Sequence, residues 1–179
     1  GDSVAIVSSD GKTWAEVVPS FPEVVWQSVA YGDGVWIAVA DDGAGDRVIR
    51  STNGGSSWTT VAAAEANGWV SVAYGGGVWI AVAYSGTNRV MRSDDGGLTW
   101  TAIAATEAND WTSVAYGGGV WIAVAESGTN RVMRSDDGGL TWTAIAAAEA
   151  NSWVSVAYGN GVWVAVADDG INRVMRGSA

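Results

Sequence analysis

Trp69-Val70-Ser71-Val72-Ala73-Tyr74-Gly75-Gly76-Gly77-Val78-Trp79-Ile80-Ala81-Val82-Ala83 reads as two strands folded back on a glycine turn. A tight hairpin needs residues that take positive φ at its centre, and glycine does so without steric penalty. The first strand, A, covers Ser71-Val72-Ala73-Tyr74. The second, B, runs from Val78 to Ala83 and is apolar at every position. A strand without polar alternation is buried on both faces. Arg89-Val90-Met91-Arg92 continues as strand C. Ser93-Asp94-Asp95-Gly96-Gly97 is a turn, and Leu98 to Ile103 is strand D. The polar link Glu107-Ala108-Asn109 then leads into a new strand A. One small sheet cannot cover both of its apolar faces, so it must stack on others of its kind.

The chain supplies those others. Trp26, Trp69, Trp111 and Trp153 each open a segment of the same form, at intervals of 43, 42 and 42 residues. The extra residue of the first copy falls between Asp41 and Asp46. Four hairpin-linked strands repeating at about 40–45 residues are the pattern of propeller blades. A solenoid fits antiparallel hairpins with a four-strand period poorly. The expected fold is all-β, a β-propeller of four-stranded antiparallel blades of about 42 residues. The blades are bounded at 26–68, 69–110 and 111–152, with a partial blade at 153–176 and further strands within 1–18. Small residues in strand A suit a crowded inner edge, and the tryptophans of B and D suit the wider outer part.

The C–D turns carry a motif. Ser93-x-Asp95-x-Gly97-x-Thr99-Trp100 and Ser135-x-Asp137-x-Gly139-x-Thr141-Trp142 repeat it in full. Ser51-x-Asn53-x-Gly55-x-Ser57-Trp58 is a softer copy, and Ser8-x-Asp10-Gly11-x-Thr13-Trp14 is one residue shorter. The pattern resembles the Asp-box, or bacterial neuraminidase repeat, of sialidases and many non-enzymatic propellers, and the resemblance extends over nearly the whole chain. Chemically, an Asx side chain in such a turn accepts hydrogen bonds from the amides ahead of it. Asp10, Asn53, Asp95 and Asp137 are therefore expected to be structural. The loops lack the D-x-[DN]-x-[DN]-G spacing of a calcium site, and no metal is expected there.

The resemblance to sialidases also implies what to look for in an enzyme: an arginine triad, a Tyr–Glu pair and an acidic residue. No F-R-I-P segment is present. The arginines recur in one pattern, Arg47/Arg50, Arg89/Arg92, Arg131/Arg134 and Arg173/Arg176. A residue repeated in every blade is expected to be structural, pairing with Asp or Glu at blade edges. A triad converging on one ligand comes from unlike positions. No nucleophile–base pair or unlike carboxylate pair stands out, so the chain is not expected to be an enzyme and no cofactor is implied.

Composition narrows the rest. The 179 residues carry a net charge of −10, with no Cys and no His. That excludes disulfides and thiolate or imidazole metal sites. It also argues against nucleic acid or anionic membranes as partners, since both call for a basic footprint. No apolar run reaches the roughly 18 residues of a helical span. Gly1, in place of Met, and Gly177-Ser178-Ala179 read as processing scars, and localisation is not readable. Twelve Trp against one Phe, and near-identity of Trp69–Ile103 with Trp111–Ile145, point to an amplified or engineered repeat.

The ends carry a seam. Strand C of the last unit, Arg173-Val174-Met175-Arg176, is not followed by a strand D. Val4 to Ser8 and Thr13 to Val18 resemble strands C and D without an A or B. Propellers of this kind often complete one blade from both termini. The count is seventeen strands, one more than four blades need, because strand C occurs twice. Two chains joined head to tail would make a ring of about eight blades and remove open sheet edges. The function expected from this is a non-catalytic scaffold that assembles with itself as a homodimer. The alternative is a lectin-like module binding glycans between blades. Its candidate residues are Glu65, Asn67 and Trp69, with Glu107, Asn109 and Trp111, and Glu149, Asn151 and Trp153.

Overall fold

The structure is a computed structural model that describes residues 5–17, 23–43 and 46–178. Val4, Val18 and the ends Gly1 and Ala179, named above, lie outside these residues, as does part of the 41–46 insertion.

All seventeen strands are present and every sheet is antiparallel. The N-terminal pair is β1 (Ala5–Val7) and β2 (Ala15–Val17). Blade 1 holds β3 (Trp26–Gly32), β4 (Val35–Ala40), β5 (Val48–Ser51) and β6 (Thr59–Val61). Blade 2 holds β7 (Trp69–Gly75), β8 (Val78–Ala83), β9 (Val90–Ser93) and β10 (Thr101–Ile103). Blade 3 holds β11 (Trp111–Gly117), β12 (Val120–Ala125), β13 (Val132–Ser135) and β14 (Thr143–Ile145). The last sheet is three-stranded, with β15 (Trp153–Gly159), β16 (Val162–Ala167) and β17 (Val174–Ser178). In each full blade the sheet order follows the chain.

Strand A is longer than the sequence reading and strand D shorter. Strand A begins at the tryptophan, where a bulge opens the ladder: Trp69 faces Ala83 and Ser71 faces Val82, so Val70 is the extra residue. Strand D begins only at Thr101, because the preceding Leu98 and Thr99 amides turn inward to the Asp95 carboxylate. The A–B turns have positive φ at both central positions, 59° at Gly76 and 83° at Gly77, with Asp33-Gly34 and Asn160-Gly161 in the same places. These residues tolerate the left-handed region best, and the geometry matches strand twist.

Strand B is the spine of the core. In blade 2, Trp79 to Ala83 are at most 1% exposed. One apolar cluster joins Ile37, Val39 and Val48 of blade 1 to Trp69, Val72, Trp79 and Met91 of blade 2, and Trp100 packs against it. The same cluster recurs between blades 2 and 3, with Trp142 in the place of Trp100. Hydrogen bonds repeat with it: the amides of Val72, Val114 and Val156 each donate to a serine hydroxyl of the preceding blade, Ser28, Ser71 and Ser113, all at 3.2 Å. β3 packs on β7, β7 on β11 and β11 on β15, but β15 makes no comparable contact with β3. The described residues thus form an open stack of blades.

Candidate functional site

The turns between strands C and D act as local clasps. In blade 2 the Ser93 hydroxyl donates to Asp95 Oδ1 at 2.7 Å and accepts the Gly97 amide at 2.9 Å. Asp95 also accepts the Leu98 and Thr99 amides at 3.0 Å each and the Thr99 hydroxyl at 2.6 Å. Burial pushes this carboxyl up, but the bonds from Thr99, Ser93 and Leu98 outweigh it and hold it at about 2. Asp137 has the same contacts to Ser135, Leu140 and Thr141 and lies at about 2, the Thr141 hydroxyl being the main cause. Asn53 reproduces most of the clasp with an amide, its Oδ1 accepting from Ser51 and Ser57. Asp10 does so in the shorter turn, where the Thr13 and Lys12 amides hold it at about 2. Gly97 and Gly139 close the clasp against the preceding blade, since a Cβ there would meet Ile37 or Ile80 at 2.4 or 2.3 Å. Trp100 and Trp142 lie half-buried beneath the turns.

The links before strand A are also clasps. Glu65 accepts the Asn88 side chain at 2.6 Å, the Asn88 amide at 2.9 Å and the Asn67 side chain at 3.1 Å. Hydrogen bonds from Asn88 are the chief reason that its carboxyl lies below the usual range. Asn67 is buried and donates to the Asn88 carbonyl. Trp69 is fully buried, its indole N–H donating to the Glu65 carbonyl. Glu107, Asn109 and Trp111 repeat this around Asn130, and Glu149, Asn151 and Trp153 around Asn172. The nine residues named as possible sugar contacts are thus brought together, three per link, with many of their polar atoms bonded within the protein. The partners Asn88, Asn130 and Asn172 were missed. Their signal was present, since each stands 23 residues after its glutamate.

The arginines bond mostly to backbone. Arg47 and Arg89 reach the Asn67 and Asn109 carbonyls of the next link, and Arg50 and Arg92 donate through Nε to the Gly96 and Gly138 carbonyls of the next clasp. Acidic partners add to this at Arg92–Asp94, Arg134–Asp136 and Arg89–Asp110.

The largest departures from the repeat are at the two ends of the stack. Val72 and Val114 are 5% exposed, but Val29, their equivalent in blade 1, is 57% exposed. Val90 is fully buried, but Val174 is 63% exposed, and Val164 and Val166 are uncovered beside it. The rings of Tyr74, Tyr116 and Tyr158 lie over Gly32, Gly75 and Gly117 of the preceding blade, so close that a Cβ there would clash. Tyr31 is exposed, and a Cβ on Gly159 would meet open space. Two cavities lie near the ends of the stack. One of about 480 Å³ lies between blades 3 and 4, bounded by Ile122, Val132, Arg134, Trp163 and Met175. The other, of about 450 Å³, lies between the β1–β2 pair and blade 1, bounded by Ile6, Trp14, Val29, Trp36 and Trp58.

No family model matches the chain, and no curated protein matches it. Solved structures do. The computationally designed Ika4 protein superposes with a TM-score of 0.70 at 13% identity, over 90% of this chain and 96% of that one. The computationally designed Ika8 protein gives 0.69 at 12%, over 99% of this chain and 56% of that one. YCF48 bound to D1 peptide gives 0.68 at 18%, over 93% and 56%. The chain therefore spans little more than half the length of the last two. At these identities the likeness concerns the fold alone, and with the repeated four-stranded sheets it identifies the architecture as that of β-propeller blades.

Proposed function

We propose that the chain is a non-catalytic propeller scaffold whose two end faces join copies head to tail, as a homodimer with a ring of about eight blades. The observation that carries this is the complementarity of the ends. Every internal interface sets a valine face, Ile80, Val82 and Val90, against a tryptophan face, Trp111, Val114 and Trp121. At the ends, Val164, Val166 and Val174 form the first face and Trp26, Val29 and Trp36 the second, with each at least partly open. Tyr31 is the ring that Gly159 lacks, and Ser155 is the hydroxyl equivalent to the one that receives Val72, placed to receive Val29. Covering an exposed valine fully is worth about 1.5 kcal/mol or more, and several such residues are needed to offset the entropy of association. Uncovered apolar faces on this scale mark interaction sites. The designed neighbours and the near-identical units support an engineered or recently amplified origin.

The lectin reading has less support, because Glu65, Asn67 and their equivalents are occupied in clasps. Light scattering tests the assembly: a particle of twice 18.4 kDa is expected. A compact particle of 18.4 kDa at all concentrations would refute it and favour a ring closed by one chain.

A further inference from the structure

Two strands of the chain fit one place. β1 pairs with β2 as Val7↔Ala15 and Ile6↔Glu16, in the register of Arg134↔Thr143 and Met133↔Ala144 in blade 3. The pair is therefore a strand C and a strand D, joined by the clasp of Ser8 and Asp10. It already sits on blade 1 as such, with the Val7 side chain against Gly55 much as Arg50 lies near Gly97. β17 also stands in a strand C register, Val164↔Arg176 matching Ile122↔Arg134. When the two end faces meet, both strands claim the edge of β16.

Resting on the assembly reading above, we infer that the N-terminal hairpin of a second copy wins this competition. It takes the third and fourth positions of the last blade, seats Trp14 in the cavity between blades 3 and 4, and displaces β17 from β16. The clasp decides between the strands. Ser8 donates to Asp10 at 3.0 Å and accepts the Gly11 amide at 2.8 Å. The equivalent position in β17 is Gly177, which has no hydroxyl. If β17 kept its place, β1 would have to leave β2 and these bonds would open. If β1 takes the place, its ladder to β16 replaces that of β17 and the clasp stays intact. β17 has little packing to lose, with Val174, Arg176 and Gly177 exposed.

The cavity fits this occupant. Trp100 and Trp142 pack against the two preceding inter-blade clusters, and the third cluster has no such residue. Trp14, their equivalent, is 59% exposed. Arg134 side-chain exposure is 41% against 15% for Arg92, and its Nε lacks the clasp carbonyl that Arg50 and Arg92 each hold. Gly11, directly after Asp10 and at φ 69°, presents the matching carbonyl, as Gly96 does at φ 77°. β17 is thus a removable cover for a sheet edge that would otherwise invite indiscriminate pairing.

The chain has no cysteine, so paired single-cysteine variants report the strand order directly. Residues facing each other in an antiparallel ladder are about 4.5–5.5 Å apart at Cα, within disulfide reach. Ile6→Cys chains mixed with Ala165→Cys chains and oxidised should give a covalent dimer, because Ile6 would then stand where Met175 faces Ala165. Ala15→Cys mixed with Arg176→Cys should not. The reverse result would show that β17 keeps its place, overturning this proposal and leaving the assembly reading intact. A dimer by light scattering with neither crosslink would do the same. Monomers with neither crosslink would overturn both. An Ile6/Ala165 disulfide formed only when both cysteines are on one chain would mean closure without a second copy and overturn both. As a second measurement, a chain ending at Asn172 should dimerise at roughly tenfold lower concentration, the equivalent of one or two net hydrogen bonds no longer broken. Weaker dimerisation of that chain would count against the displacement of β17.

Discussion

Replacing Trp79 by alanine tests whether strand B carries the stack. Trp79 is 1% exposed, lies in the cluster joining blades 1 and 2, and has its ring 5.0 Å from that of Tyr74 at 49°. Truncating a buried aromatic to Ala costs about 3–5 kcal/mol, including the cavity left behind. The lost ring pair lies within that range, being worth about 0.5–1.5 kcal/mol. One effect opposes the loss. The Trp79 indole N–H is buried without an acceptor among the described residues, and removing such a neutral donor recovers on the order of 1 kcal/mol. The low end of the range follows, a net loss of about 3 kcal/mol. For a chain of this size that lowers the melting temperature by roughly 6–12 °C. Urea unfolding followed by tryptophan fluorescence should show the midpoint falling with an unchanged slope. Trp79→Phe separates the terms, since it keeps a ring and discards the orphan donor, and should cost under about 1.5 kcal/mol. A loss below about 1 kcal/mol for the alanine variant would refute the placement of Trp79 in the core.

Asp95→Ala should cost roughly 0.5–2 kcal/mol, as for comparable side-chain caps, while Asp95→Asn should cost less, because Asn53 already fills the same place in blade 1 and only the advantage of the charge is lost. Calcium or EDTA should leave the melting temperature unchanged, and a calcium-dependent rise of several degrees would disprove a purely structural clasp. Asp10, Asp95 and Asp137 lie at about 2 when folded, against about 3.9 unfolded, so their contribution is complete above that value and lost as pH falls towards 2. Fluorescence-monitored stability should therefore be flat from about pH 8 to 5 and fall below about pH 4; a decline already complete at pH 5 would contradict this. Gly75→Ala should destabilise the stack by about 1–3 kcal/mol, because its Cβ would lie 2.2 Å from the Tyr116 ring, whereas Gly159→Ala should be silent in a monomer and weaken the dimer, read by light scattering.

Blade period, hairpin turns and strand B were legible because each is a short-range pattern: period, glycine pairs, unbroken apolar runs. The N-terminal strand pair was legible for the same reason, since Val4–Ser8 and Thr13–Val18 copy strands C and D and β1 (Ala5–Val7) and β2 (Ala15–Val17) form within them. The start of strand D was misjudged, because Leu98 and Thr99 read as extended while their amides are spent on Asp95. The sequence points the arginines at nearby carboxylates, which Arg89, Arg92 and Arg134 reach, but it does not show that Arg50 and Arg92 also donate to clasp carbonyls 46 residues away that only blade stacking brings near. The link was read through its own Glu65 and Asn67, and its third member, Asn88, stands across the loop. The arginine and link bonds join segments distant along the chain, which a local pattern does not record, whereas the Asp95 bonds are local and were hidden because Leu98 and Thr99 are of residue types common in strands.

The repeat turns this limitation into a source of information. In a stack where each unit touches only its neighbours, stability is close to a sum of unit and interface terms. The two interfaces between the full blades then show what an interface contains: a tryptophan under the clasp, a tyrosine over a glycine, a serine under an amide, an arginine on a clasp carbonyl. The end faces, together with the incomplete last blade beside Arg134, hold the halves of the same set. Gly159 and Tyr31, Arg134 and Gly11, Ser155 and Val29 are each one member of a pair that is complete elsewhere. A surface evolved or designed for solvent has no reason to keep valine at 164, 166 and 174 and tryptophan at 14, because exposure gives these side chains nothing. The proposed assembly would account for their retention, because it would cover each of them with the counterpart it meets inside the stack.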